Sequence, residues 1–96
     1  MAVAAQYATG KRKYAIARAW LSSGSGEMTV NSKPLDQYFP RPSLGTTVQF
    51  PLEVAGVLGK YNVQATVSGG GTTGQAGALR HAIARALVTM NPVTRE

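Results

Sequence analysis

From Tyr61 to Val67 the chain alternates without a break: Tyr61, Val63, Ala65 and Val67 on one side, Asn62, Gln64 and Thr66 on the other. A period of two marks a strand buried on one face. Tyr14 to Leu21 has the same period. Ala15, Ala17, Ala19 and Leu21 form a small apolar face suited to packing against helices, and Tyr14, Ile16, Arg18 and Trp20 form a mixed one. After Gln75 the period changes. Ala76, Leu79, Ile83, Ala86, Leu87 and Met90 fall within one arc of roughly 100°, one face of an amphipathic helix running to about Met90. His81 and Arg85 lie on the other side and Arg80 at the edge of the arc, and Asn91-Pro92 ends the helix.

The remaining pattern is weaker. Ser22 to Gly26 is a turn by composition. Glu27 to Asn31 alternates with Met28 and Val30 on one side, so the two segments read as a β-hairpin with a longer loop. Pro34 begins a short helical turn through Tyr38 and Phe39, and Pro40 and Pro42 punctuate the chain after it. Thr46 to Leu58 is helical in character but poorly patterned, with Pro51 either starting or kinking the helix. Residues 1–8 are small and apolar without a clear period, and Thr9 to Lys13 reads as a basic bend. No internal repeat or separate linker is visible, and 96 residues suffice for one domain, 1–96.

Composition adds a globular character, with 44% apolar residues, but charge changes the picture more. Ten Lys and Arg against four Asp and Glu give +6 and a pI near 10.2. That balance fits a polyanionic partner, chiefly nucleic acid or an anionic membrane; a solvated basic surface would have the same composition. The first acid is Glu27, so Lys11, Arg12, Lys13 and Arg18 share an acid-free stretch. No apolar run is long enough to span a bilayer, and residues 1–9 show neither a secretory signal pattern nor the arginine content of a transit peptide. Without cysteine, disulfide and thiolate chemistry are excluded for this sequence.

Four groups of residues are candidates for function. Gly69, Gly70, Gly71, Thr72, Thr73, Gly74 and Gln75 join a strand to a helix, where glycines let the backbone approach an anion and the helix start offers free N–H groups. Thr72, Thr73 and Gln75 add side-chain donors. The bland alternative is a connector whose glycines permit a sharp turn. A P-loop would need a Lys that does not follow Gly74, and no acid follows the loop until Glu96, as a dinucleotide site would require. Lys11, Arg12 and Lys13 with Arg18 can bracket phosphates. Arg80, His81 and Arg85 form a second basic cluster. His81 has no nucleophile at motif spacing, and Glu27, Asp36, Glu53 and Glu96 are scattered, forming neither a metal cluster nor an acid/base pair. Of the aromatics, Phe39 and Trp20 are expected in the core, and Tyr14, beside Lys13, is the best candidate for stacking on a base.

These residues resemble a known family. The run from Gly69 through Gln75 to Arg80, His81, Arg85 and Leu87 is similar to the signature of ribosomal small-subunit protein nine. Thr9-Gly10-Lys11-Arg12-Lys13 with Ala17-Arg18 resembles that family's start, and Val30-Asn31, Tyr38-Phe39 and Pro51-Leu52-Glu53 stand between them in the expected order. The resemblance extends from about Tyr7 to Arg95. It implies an α/β (α+β) fold, a small mixed sheet backed by helices with a left-handed βαβ crossover, against the usual right-handed preference. It implies a structural, non-enzymatic component of the small subunit that binds ribosomal RNA in the subunit head beside neighbouring ribosomal proteins. On matching positions the RNA contacts would be Lys11, Arg12, Lys13 and Arg18, the loop Gly69 to Gln75, and Arg80, His81 and Arg85. Family members continue into a long basic tail that reaches transfer RNA; this sequence stops at Glu96, so that contact is carried onto no residue here.

A second reading, from another class, is a small phosphate- or nucleotide-binding enzyme using the Gly69–Gly74 loop; a third is a scaffold with no RNA partner. For a ribosomal protein of this type the expected location is the bacterial cytoplasm, with a chloroplast or mitochondrial ribosome as the alternatives.

Overall fold

The computed structural model describes residues 6–12, 14–56 and 59–90. Its strands are β1 (Gln6–Arg12), β2 (Ala15–Ser23), β3 (Met28–Val30), β4 (Lys33–Pro34) and β5 (Tyr61–Ser68); its helices are α1 (Leu35–Tyr38), α2 (Pro42–Val54) and α3 (Thr72–Met90). The strands form one mixed sheet in the order β1-β2-β5-β3-β4, in which only β3 and β5 are parallel. With its helices this is an α+β fold, as expected.

Alternation in β2 and β5 decides the layering. Ala15, Ala17, Ala19 and Leu21 are fully buried, and Val63, Ala65 and Val67 nearly so. The opposite face stays open, with Ile16, Arg18, Gln64 and Thr66 exposed. Helix α3 covers the buried face, packing most heavily on β1 and next on α2 and β2. Its buried stripe is wider than the sequence suggests, because Ala78 and Ala82 join Ala76, Leu79, Ile83 and Ala86. Alanines on both sides allow a close helix–sheet approach. The large buried side chains, Phe39, Leu21, Leu52 and Leu79, each contribute about 1.5–3 kcal/mol.

Three expectations are corrected. The expected bend over Thr9 to Lys13 is strand from Thr9 to Arg12: β1 runs through Arg12 and pairs antiparallel with β2, from Gln6↔Leu21 to Arg12↔Ala15. Its helix-facing positions are Gln6, Ala8, Gly10 and Arg12, too small or polar to read as a buried face. The first five residues and Lys13 lie outside the described residues. Second, β2 and β3 do not form a hairpin, since β5 lies between them. Asn62 Oδ1 accepts the N–H groups of Ser25, Gly26 and Glu27 at 3.0–3.1 Å, pinning the connecting loop to the start of β5. Asn31 completes the arrangement: its amide donates to Val67 O and accepts from Val67 N, at 3.1 and 2.9 Å.

Third, the middle helix begins at Pro42 rather than Thr46, with Pro in the first turn where no N–H is needed. Leu44, Val48 and Leu52 are its buried face, spaced by four. Pro51 lies inside this helix, which ends at Val54; Leu58, the end expected from sequence, is outside the described residues. The helical turn after Pro34 and the strand from Tyr61 stand where the sequence put them.

Candidate nucleic-acid interface

The edge strand β1 lies against α3, and this contact assembles the site. At Gly10 an added Cβ would strike the Ala78 carbonyl oxygen and come within 2.6 Å of Ala82 N, so glycine permits the approach. Two residues on, Arg12 also faces the helix. Its side chain lies across Gly77, where an added Cβ would stand 2.7 Å from Arg12 Cδ. The missing side chain of Gly77 is therefore a seat for Arg12.

Beside this seat runs a groove of about 590 Å³ lined by Lys11, Arg12, Leu44, Thr47, Thr73, Gly77, Arg80, His81 and Ala84. It gathers cations from β1 and α3, with no carboxylate in the lining. Arg80 is held over the Phe50 ring at 5.0 Å from the centroid, a cation–π contact that leaves the guanidinium edge available for hydrogen bonds. A neighbouring cleft of about 520 Å³ continues along the strand edge, lined by Tyr7, Ala8, Thr9, His81, Ala84, Arg85 and Val88. His81 borders both.

The glycine loop behaves differently from its sequence reading. Helix α3 starts at Thr72, so Thr72, Thr73 and Gly74 belong to its first turn rather than to the loop. Gly69 and Gly70 have φ of 76° and 59°, the left-handed turn that swings the chain from β5 into the helix. Gly69 lies against the Tyr14 carbonyl, and Gly71 accepts the Gln75 N–H at 2.8 Å. Gln75 is occupied inside the protein: Nε2 donates to Gly69 O at 3.1 Å, and Oε1 accepts from the Tyr38 hydroxyl at 2.8 Å. Gly74 is buried. Gln75 thus braces the turn through both ends of its amide, and Gly69–Gly71, Thr72 and Thr73 stay exposed. The nucleotide-loop reading gains nothing from it.

Arg18 does not join the groove. It lies on the open face of the sheet, opposite Thr9 and Thr66. Tyr14 stands at the β1–β2 turn with φ of 70° and 96% exposure, next to the glycine loop. Phe39 is buried as expected, but Trp20 is not: it is half-buried on the open face, its ring 5.1 Å from that of Tyr7 and tilted by 39°. The reason is parity, since the even positions of β2 face away from the helices. Among the described residues, no group of His, Asp or Glu is placed to hold a metal ion.

Residues 10–96 match the family model described as ribosomal protein S9/S16. The chain belongs to the ribosomal protein S9/S16 family. The match spans every residue lining the larger groove, from Lys11 to Ala84. In this S9/S16 protein the basic groove is built wholly from residues within the matched region, while Tyr7, Ala8 and Thr9 of the neighbouring cleft lie just before it. Sequence reading missed Tyr7, Gly77 and Thr47 as neighbours of the site. The first lay in a segment without evident period, the second served only as one more glycine, and the third was hidden in a poorly patterned helix.

Proposed function

We propose that this protein is a structural, non-enzymatic constituent of the small ribosomal subunit that binds and steadies ribosomal RNA in the subunit head, beside neighbouring ribosomal proteins, in support of translation. The observation that carries this reading is the groove in which Lys11, Arg12, Arg80 and His81 meet with no opposing carboxylate in the lining. Folded RNA presents phosphates at close intervals, and such a groove neutralises several at once. Thr73, exposed on the first turn of α3, adds a hydroxyl where the helix offers its positive end. Arg85 extends the basic surface by one helical turn, and exposed Tyr14 and Gly69–Gly71 border it at the tip of the β1–β2 pair; Lys13, outside the described residues, is a further candidate contact by its place in the sequence. The setting is the ribosome of a bacterial cytoplasm or an organelle.

Binding of the protein to a fragment of small-subunit head RNA, with unrelated structured RNA as competitor, tests the reading across a salt series. Head RNA is expected to win the competition. Arg12→Ala and Arg80→Ala are each expected to flatten the dependence of log K on log salt by roughly 0.7–0.9, one phosphate contact apiece. Equal affinity for both RNAs, or unchanged slopes in both variants, would refute the groove as the ribosomal RNA site.

A further inference from the structure

The open face of the sheet is a second surface with a different chemistry. Its side chains form rows across the strands. Tyr7, Trp20, Gln64 and Thr29 are paired in register across β1, β2, β5 and β3. The next row is Thr9, Arg18 and Thr66, and the one after is Lys11, Ile16 and Ser68. Successive rows are about 6.8 Å apart, two residues of strand rise. We propose that this face is a stacking platform for unpaired RNA bases, centred on Trp20, with Arg18 placed to hold the adjoining phosphate. The proposal rests on the RNA-binding reading and adds to it the kind of RNA, single-stranded, that this surface takes.

The aromatic row has an exposed and an occupied side. Tyr7, 45% exposed, covers one flank of Trp20. On the other flank is a hollow of about 210 Å³ lined by Trp20, Ser22, Glu27, Thr29, Asn62 and Gln64 along with Val63. A planar base entering there stacks on the indole, a contact that tolerates any base. Gln64 and Thr29 then offer both donors and acceptors to its edge. Glu27 accepts from an exocyclic amine such as that of cytosine. Asn62 Oδ1 is committed to the backbone N–H groups of residues 25–27.

Charge selects the occupant and its orientation. The three rows hold Arg18 and Lys11 and no carboxylate. The nearest acid, Glu27, lies at the far rim of the hollow and repels a phosphate there, so the sugar–phosphate chain runs on the Arg18 side. Lys11 also lines the phosphate groove, which makes the two surfaces continuous around the edge strand. A duplex, with its bases stacked inward, cannot use the indole.

Trp20 is the sole tryptophan of the chain, so its fluorescence reports this surface directly. The intact protein is titrated with oligouridylate, oligocytidylate and an RNA duplex of similar length. Single strands are expected to quench Trp20 saturably, and the duplex to bind without quenching it. Tyr7→Ala and Arg18→Ala, both at exposed positions, are expected to weaken single-strand binding about tenfold. Arg80→Ala should leave the quenching curve unchanged while it weakens binding of folded RNA. Quenching by duplex equal to that by single strands overturns the platform. So does absence of quenching while head RNA still binds, an outcome that leaves the face to a protein neighbour. If head RNA itself fails to bind, the ribosomal RNA reading falls instead.

Discussion

Replacing Gly10 by alanine tests the contact on which the groove depends. The new Cβ would fall on the Ala78 carbonyl oxygen, 2.6 Å from Ala82 N and 3.0 Å from His81 Cβ. Two of these neighbours are helix backbone, which no rotamer change can remove. Restoring an ordinary contact of 3.4 Å to Ala82 N alone requires α3 to retreat by about 0.8 Å. Overpacking of this kind costs about 1–3 kcal/mol, and a clash against backbone belongs at the upper end. Removing glycine from a strand returns about 0.5–1 kcal/mol, leaving a net loss of roughly 2 kcal/mol. With a urea m-value near ~1.5 kcal/mol/M the midpoint drops by about 1.3 M. The melting temperature falls by roughly 8–16 °C. Gly45→Ala is the matched control. Gly45 is inside α2 with nothing within 4 Å of an added Cβ, so the same change there stabilises by about 0.5–1 kcal/mol. If Gly10→Ala unfolds within about 0.5 kcal/mol of the parent, the reasoning is refuted and β1 does not lie on the 78–82 segment of α3 as described.

Other perturbations separate scaffold from site. Gly77→Ala puts a methyl group against Arg12 Cδ, the end of a flexible side chain, so stability holds or rises by about 0.5–1 kcal/mol while affinity for head RNA falls, as denaturation and binding run side by side would show. Asn62→Ala removes the acceptor of three backbone N–H groups; partial exposure limits the loss to about 1–2 kcal/mol, with faster hydrogen exchange at Ser25, Gly26 and Glu27, and Asn62→Asp restores protection. Tyr38→Phe costs about 1 kcal/mol and Gln75→Ala, which also loses the bond to Gly69 O, about 1–2 kcal/mol; the double variant costs less than their sum because the Tyr38–Gln75 bond is common to both, and additivity in urea melts would refute the coupling.

Which parts of the fold were legible in the sequence follows from what a periodic pattern encodes. Alternation reports which side of a strand is buried, and it was right for β2 and β5 because those strands present Ala, Val and Leu to the helices. It does not report the neighbour. Nothing in residues 22–31 tells that β3 pairs in parallel with a strand more than thirty residues away, since what holds the loop aside is a side chain on that distant strand, Asn62. Strand β1 was hidden because its helix-facing residues include Gly10 and Arg12, chosen for close approach and for the groove rather than for apolar area. Pro51 obscured a helix whose buried Leu44, Val48 and Leu52 keep a spacing of four straight across it.

The candidate site shows the same limit in sharper form. Charge counting gave Arg12 and Arg18 equal standing, six residues apart in one acid-free stretch. The pairing of Arg12 with Ala15 separates them. Every even position of β1 shares a face with an odd position of β2, so Arg12 goes with the alanines toward α3 and Arg18 goes with Thr9 and Thr66 to the open face. One cation then meets Arg80 and His81 over Gly77, and the other stands one row from Trp20. Lengthening the β1–β2 turn by one residue while keeping the β2–β5 register would exchange these parities along β1. Arg12 would leave the groove, Gly10 would leave its contact with α3, and Lys11 would be pressed against the helix. The turn thus fixes both surfaces at once, and such an insertion should destroy groove binding and fold stability together, whereas Arg12→Ala affects the first alone.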